Sequence, residues 1–465
     1  MDNKNLWILT EERPKREVIH NILYKFVSDN EIPCFIDTIR ILPVLNSDGN
    51  FAFTYKVIWF TSEQIWEIFI KTVSWKSSFV DFLLFYQEDD PNENDEPLYA
   101  IEETKTDDSE SRNTWVFQRA SKFVYIDFFY PNVKKIMLYS LQVEEKKSQT
   151  DTNIFWTRCL YTLWVEILWK ENIDNDLQKF SSIDEVIKMK NSMRRPPKWN
   201  VPILIDKYDD KIEVSGRLWK SDSLAHDPNI WALSLIASTL RKLWWTKKIV
   251  ITKHWLEQKH IKWNNKFVQI ASKLNLEFDE LDSSVPVAKT QYWHFDKKWE
   301  KLGTIFIHIV TEYFTNSNSL FENHAGCEKS YFLTKEWKHV PLQKYIDREE
   351  YKNWDKSKKV AIPDLILIDF DNSEILNLEW KKYEFRANWI KELDDFDAIE
   401  DLYIKPNYPK YELLRSVVLY WSTEETIVEI EVSFLLNENG KLILWVNAPK
   451  LFKEALKNLL EYWNK

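Results

Sequence analysis

Glycine is nearly absent: the chain holds 5 in 465 residues, where an average protein carries roughly 7%. Cysteine is also scarce. Cys34, Cys159 and Cys327 are odd in number and far apart, which excludes a disulfide framework or a cysteine-rich zinc site and points to a reducing cytoplasm. No apolar run approaches the ~20 residues of a membrane span. The opening MDNKNLWILTEERPKREVIH lacks the basic, apolar and small-residue succession of a secretory signal. The eight histidines are scattered without HExxH spacing, and His226 in AHDPN reads as a surface residue at a helix start. Neither GxxxxGK[ST] nor GxGxxG occurs, which disfavours an ATP-driven motor, a dehydrogenase and a methyltransferase.

Tryptophan is abundant instead, with 24 copies. Several stand where glycine is expected. Trp244 and Trp245 follow the helical WALSLIASTLRKL and precede the strand KKIVIT, a helix-stop position suited to left-handed backbone. Trp169 ends an apparent helix before Lys170-Glu171-Asn172, and Trp263 lies in the polar turn IKWNNK. Together the two types approach ordinary glycine usage. This placement predicts that most of these tryptophans are glycines, from a genome that reads UGA as glycine but was translated with UGA as tryptophan.

Length predicts two or three domains. Helical spacing covers residues 11–29, followed by strand-like runs at Phe51–Trp59, Glu67–Val73, Phe79–Phe85 and Leu98–Thr104. Helices are expected at Arg112–Phe123 and Phe155–Leu168, with a buried strand at Lys135–Leu141 between them. The middle of the chain predicts a helix at Ile183–Met193, two strands about the Tyr208-Asp209-Asp210 turn, and a helix opening near Pro228. Further on, Thr304–Phe314 is readable as helix or strand, Leu413–Tyr420 as a strand, and Leu451–Tyr462 as an amphipathic helix.

The stretch Ala361–Lys382, AIPDLILIDFDNSEILNLEWKK, reads as a β-hairpin: two apolar runs flank the polar turn Asp371-Asn372-Ser373. Asp364 opens the first strand, and Glu379 and Lys381 close the second on one face. Two carboxylates are hard oxygen ligands for Mg²⁺, and an ammonium beside them can steady an attacking water or the charge on a phosphate. A second such layout lies upstream. Asp81 sits in a strand-like run, an acidic loop Gln87–Pro97 follows, and Glu103-Thr104-Lys105 closes the next run, with Glu102 adjoining. Pro363-Asp364 with Glu379-Trp380-Lys381 resembles the motif of the PD-(D/E)xK nucleases, the superfamily that holds most type II restriction endonucleases. The Asp81, Glu103 and Lys105 set resembles it too, with Val80 in place of the motif's proline.

The resemblance implies an α/β (α+β) fold, a restriction-endonuclease-like mixed sheet flanked by helices, present twice. It divides the chain into a nuclease-like domain at 1–170, a middle region at 171–296 for target reading, and a second nuclease-like domain at 297–465. It implies Mg²⁺ held by Asp81 and Glu103 and by Asp364 and Glu379, with Lys105 and Lys381 as the catalytic lysines. Glu312, if helical, would add an acid to the second centre. The implied activity is that of a type II site-specific deoxyribonuclease, cutting double-stranded DNA to 5′-phosphate ends as a monomer or homodimer, with a separate DNA methyltransferase as partner. A net charge of −10 argues against an evenly basic DNA-binding coat, so phosphate contacts are sought locally. Candidates are Arg112 and Gln118 after the first motif, Lys382 beside the second, and Arg241, Lys242, Lys247 and Lys248 in a basic stretch running to Lys266. A DNA-binding or regulatory protein with inactive nuclease-like folds is the competing reading, and a repair or phage-defence nuclease is another.

Overall fold

The computed structural model of the chain describes residues 3–45, 51–74, 79–103, 115–139, 151–169, 177–193, 203–216, 228–252, 257–261, 266–284, 291–323, 331–343, 346, 359–382, 393–420, 432–436, 442–446 and 449–463. From the start, β1 (Lys4–Thr10) and α1 (Arg16–Asp29) lead into β2 (Cys34–Leu45), β3 (Phe51–Ser62) and β4 (Ile65–Ser74). Next come β5 (Phe82–Gln87), β6 (Tyr99–Glu103), α2 (Trp115–Phe129), β7 (Lys134–Tyr139), α3 (Asp151–Thr162) and β8 (Val165–Trp169). The middle supplies α4 (Ile183–Ser192), β9 (Leu204–Lys207), β10 (Lys211–Ser215), α5 (Pro228–Lys242), β11 (Lys248–Thr252), α6 (Lys266–Lys273) and β12 (Leu276–Phe278). The last third begins with β13 (His294–Phe295), α7 (Trp299–Phe314), β14 (Ser317–Glu322), β15 (Tyr331–Leu333) and β16 (His339–Pro341). It continues through β17 (Leu365–Asp369), β18 (Glu374–Lys382), a mixed helical run over residues 393–407, β19 (Glu412–Tyr420), β20 (Val432–Leu436), β21 (Leu442–Val446) and α8 (Lys450–Trp463). The class is mixed α/β.

Two compact units draw on interleaved stretches of chain. One comprises Met1–Asn5, Glu11–Thr72 and Phe295–Lys465, the other Leu6–Thr10 and Val73–His294. The middle segment 171–296 therefore falls almost wholly in the same unit as Asp81, while β2 and β3 of the N-terminal segment belong with Asp364.

In the Val73–His294 unit the strand order runs β1-β5-β6-β7-β8. The β5/β6 pair is antiparallel, and β6, β7 and β8 run parallel. A parallel connection needs a crossover, which α2 and α3 supply. A second sheet, β12-β11-β10-β9, lies in this unit, and α2 packs on α3, α5 and α6. The helix expected to run to Leu168 ends at Thr162, and Val165–Trp169 is a strand. The stop is Trp164, whose φ of 60° is left-handed and whose N–H bonds the Tyr161 carbonyl at 3.2 Å. Glycine is the usual signal at such a position, and the tryptophan hides it.

In the other unit the order β14-β17-β18-β19 places the Asp364 hairpin at the centre of a sheet. β17 is antiparallel to both neighbours, and β18 and β19 are parallel, joined through the helical run 393–407. β17 is apolar from Leu365 to Ile368, as suits a strand covered on both faces. Ile366 and Ile368 pack with Phe321, Phe332 and Ile399 on one side, and Leu365 and Leu367 with Leu376, Leu451 and Phe452 on the other. Thr304–Phe314 is helical, as part of α7. β20 and β21 form an antiparallel hairpin, and the amphipathic α8 stands where the 3.6-residue period puts it.

Candidate functional site

The β17/β18 register pairs Leu365 with Leu378, so one step outward Asp364 lies opposite Glu379. The Asp364 N–H bonds the Leu378 carbonyl at 3.1 Å, and Asp364 Oδ2 accepts the Trp380 N–H at 2.8 Å. This fixes the aspartate side chain at the open end of the hairpin. The Lys381 ammonium forms an ion pair with Glu379 Oε1, as expected for side chains two residues apart on one strand face. Glu379 Oε2 is sealed from solvent and has no hydrogen-bond partner. Both acids are pushed above the ordinary carboxylate range. For Asp364 the causes are burial and then the charge of Glu379; for Glu379 burial leads and Lys381 opposes it, while Glu300 raises both. Glu300, in the first turn of α7, is thus the further acid that acts on this pair. Glu312, three turns along the same helix, pairs instead with Arg13 at 2.6 Å.

These residues suit a divalent cation. Two converging carboxylates that resist ionisation side by side, one with an unused buried oxygen, are stabilised by a positive charge between them. Among the described residues no three His, Cys, Asp or Glu side chains converge for a metal. The donor set is therefore a carboxylate pair, the kind Mg²⁺ accepts when water and phosphate complete its shell.

Trp380 does not fit the reading of a glycine. Its side chain is 1% exposed and packs with Leu376, Leu378 and Leu451. It lies over Gly303 of α7, where a Cβ would meet the indole Nε1 at 3.0 Å.

The upstream cluster is built on the same plan. β5 and β6 pair Phe82 with Ile101, which sets Asp81 opposite Glu102. The Asp81 N–H bonds Glu102 Oε2 at 3.1 Å, and Asp81 Oδ2 accepts the Glu103 N–H at 2.7 Å, as Asp364 accepts that of Trp380. The acid facing Asp81 is accordingly Glu102, with no exposed side-chain surface, and not Glu103, whose side chain leaves the strand on the other face. Lys105 and Arg112 lie outside the described residues. A lysine does reach this pair, from α2: Lys122 Nζ is 2.7 and 2.8 Å from the two Glu102 oxygens and 3.5 Å from Asp81 Oδ1. Arg119, one turn earlier, stands 3.6 Å from Glu102 and donates to the Glu103 carbonyl. Burial, then Asp81, raises the Glu102 pKa to about 8 against the pull of Lys122 and Arg119.

The proposed phosphate contacts separate by role. Arg241 ties together the chain just beyond α5 and just beyond α6: its guanidinium donates to the carbonyls of Trp245, Lys247, Leu274 and Asn275 at 2.6–2.9 Å. Lys247 donates to the Asp209 carbonyl, and Lys248 pairs with Glu277 at 3.1 Å. Lys242 is exposed and acts electrostatically on Lys135 and Lys273. The side chains of Gln118 and Lys382 lie outside the described residues. Glu300, Lys122 and Arg119 had no sequence signal, since each reaches its hairpin from a helix with no fixed spacing to the motif. Comparison with protein-family models, curated proteins and solved structures finds no match to this chain.

Proposed function

We propose that the chain is a Mg²⁺-dependent, sequence-specific endonuclease of the PD-(D/E)xK kind that hydrolyses phosphodiesters in double-stranded DNA. The observation that carries this reading is the Asp364–Glu379 pair, opposed across two strands with the Lys381 ammonium on Glu379. The elements of its sheet support the same reading: after a helix come three antiparallel strands, the first two separated in sequence by the small β15/β16 hairpin, then a helical run and a strand parallel to the third. The hairpin, helix and parallel strand of β5, β6, α2 and β7 repeat the latter part of that succession. Asp364 and Glu379 would hold Mg²⁺, which when bound supplies charge neutralisation at the phosphate and a more acidic water. Lys381 places a positive charge beside Glu379, where it can orient a water and offset charge building on the phosphate oxygens. Asp364, Glu379 and Lys381 are only partly exposed, which strengthens these interactions relative to bulk water. The setting that fits this activity is the cytoplasm, with a separate methyltransferase protecting the host's own sites and 5′-phosphate ends as product.

The test is cleavage of supercoiled plasmid DNA of varied sequence in Mg²⁺. Glu379→Ala and Asp364→Ala are expected to lower the rate by on the order of a thousandfold, the scale of losing a principal electrostatic group. Discrete fragments from wild type are expected. Wild-type rates retained by both variants, or cleavage independent of divalent cations, would sink the proposal.

A further inference from the structure

The two carboxylate pairs share backbone geometry but differ in what neutralises them. Around Asp364 and Glu379, the described groups acting on the pair are one lysine and a third acid, Glu300. Among these groups the acids outnumber the cation by two, whereas each pair has one buried carboxylate oxygen without a hydrogen bond, Glu379 Oε2 here and Glu102 Oε1 upstream. Around Asp81 and Glu102 stand two cations, Lys122 and Arg119. With both acids ionised the cluster is neutral; with Glu102 protonated it is positive. Among the described residues, neither state leaves a charge deficit for a divalent ion. The Lys122 ammonium lies within 2.8 Å of both Glu102 oxygens and 3.5 Å from Asp81, the bridging position between the two acids that a cation would take. These residues do not fit a metal.

We infer that Lys122 is the resident cation of the Asp81–Glu102 pair, so that this pair holds no divalent metal and, among the described residues, the cutting centre is the one at Asp364, Glu379 and Lys381. Lys122 is a positioning residue here: it holds the β5/β6 hairpin end to α2 and keeps two buried acids together. The inference rests on the Asp364 pair being a divalent-cation site, as proposed above.

The experiment counts Mn²⁺ bound per full-length chain by electron paramagnetic resonance of the free ion, alongside Mg²⁺-dependent plasmid cleavage. Wild type is expected to bind one Mn²⁺, Glu379→Gln none and Glu102→Gln still one. Glu102→Gln is also expected to cleave within about twofold of wild type. Lys122→Met, with the internal cation gone, is expected to take up a second Mn²⁺. Should that chain not fold, Glu102→Gln decides, since it keeps the size and hydrogen bonding of the side chain. Two Mn²⁺ per wild-type chain, one of them lost in Glu102→Gln, would overturn the inference, and so would a folded Lys122→Met chain that binds only one. One Mn²⁺ per wild-type chain without cleavage of any DNA would defeat the nuclease reading and leave the internal cation standing.

Discussion

Trp244 adopts φ 68° just beyond α5, and its N–H bonds the Arg241 carbonyl while that of Trp245 reaches back to Leu240, both at 3.1 Å. This is the six-to-one, five-to-two closure that glycine serves at helix ends. Trp164 makes the five-to-two bond alone beyond α3, to the Tyr161 carbonyl; Trp59 sits at a register shift in β3; Trp337 takes the left-handed place in the loop joining β15 and β16. These four make up nearly half of the nine left-handed non-glycine residues among those described, and their indoles are 46–87% exposed. A side chain there adds strain of about 1–2 kcal/mol and little packing. UGA codons are expected at these four positions and UGG at Trp380. Substituting Trp244→Gly should raise the denaturant midpoint by the equivalent of about 1 kcal/mol, whereas Trp380→Gly should lower it by about 3–5 kcal/mol through the cavity left over Gly303. Equal effects at both positions would refute the distinction. Glu102 gives a separate prediction. Its pKa rises from 4.5 to about 8 on folding, so between those values the folded chain keeps a proton that the unfolded chain has released. The group therefore favours folding at the acid end, and that contribution falls as pH rises towards 8, by up to about 1.4 kcal/mol per pH unit. Stability measured from pH 5 to 8 should decline more steeply for wild type than for Glu102→Gln.

A single hairpin could be read from the chain where its polarity pattern was unambiguous. In β17 and β18 the apolar runs are broken by a polar turn, and the acids stand at the ends, so register and face follow from counting. In β6 the run Tyr-Ala-Ile-Glu-Glu is buried through Glu102, with no polar alternation to say which glutamate turns inward. Only the Phe82–Ile101 pairing decides it. The E-x-K spacing therefore selected Glu103 and Lys105, one residue out of step with the acid that meets Asp81. Helix ends were obscured for the reason given by Trp164, which let α3 and β8 read as one helix. The basic stretch was legible as charge but not as role, because backbone carbonyls leave no trace in a sequence. Arg241 shows the consequence. With four carbonyls on its guanidinium, Arg241→Ala should lower stability by about 1–3 kcal/mol, with no change in the salt dependence of DNA binding. Exposed Lys242→Ala should do the reverse, reducing that slope by about one. Chemical denaturation and fluorescence anisotropy over a salt series separate the two.

The chain passes between its two units more than once, since Leu6–Thr10 belongs with Val73–His294 while the residues on either side belong with the other unit. Neither unit is a separable segment, and removing the first seventy residues would take strands from one and part of β1 from the other. The proposed single cutting centre would constrain how such a chain breaks a duplex. The two strands of DNA run antiparallel, so a centre aligned on one phosphodiester is wrongly oriented for its partner. The second cut then needs a second copy of the chain or a second binding event. Nicked circles should accumulate before linear DNA, and the rate of linearisation should rise more steeply than in proportion to protein concentration across a range of about a hundredfold, while nicking rises in proportion. Agarose-gel time courses of plasmid bearing one target site measure both. Linear DNA formed in step with the loss of supercoils at the lowest concentration, with no nicked intermediate, would require two working centres in one chain. It would then assign the second cut to the Asp81 pair despite its internal cations.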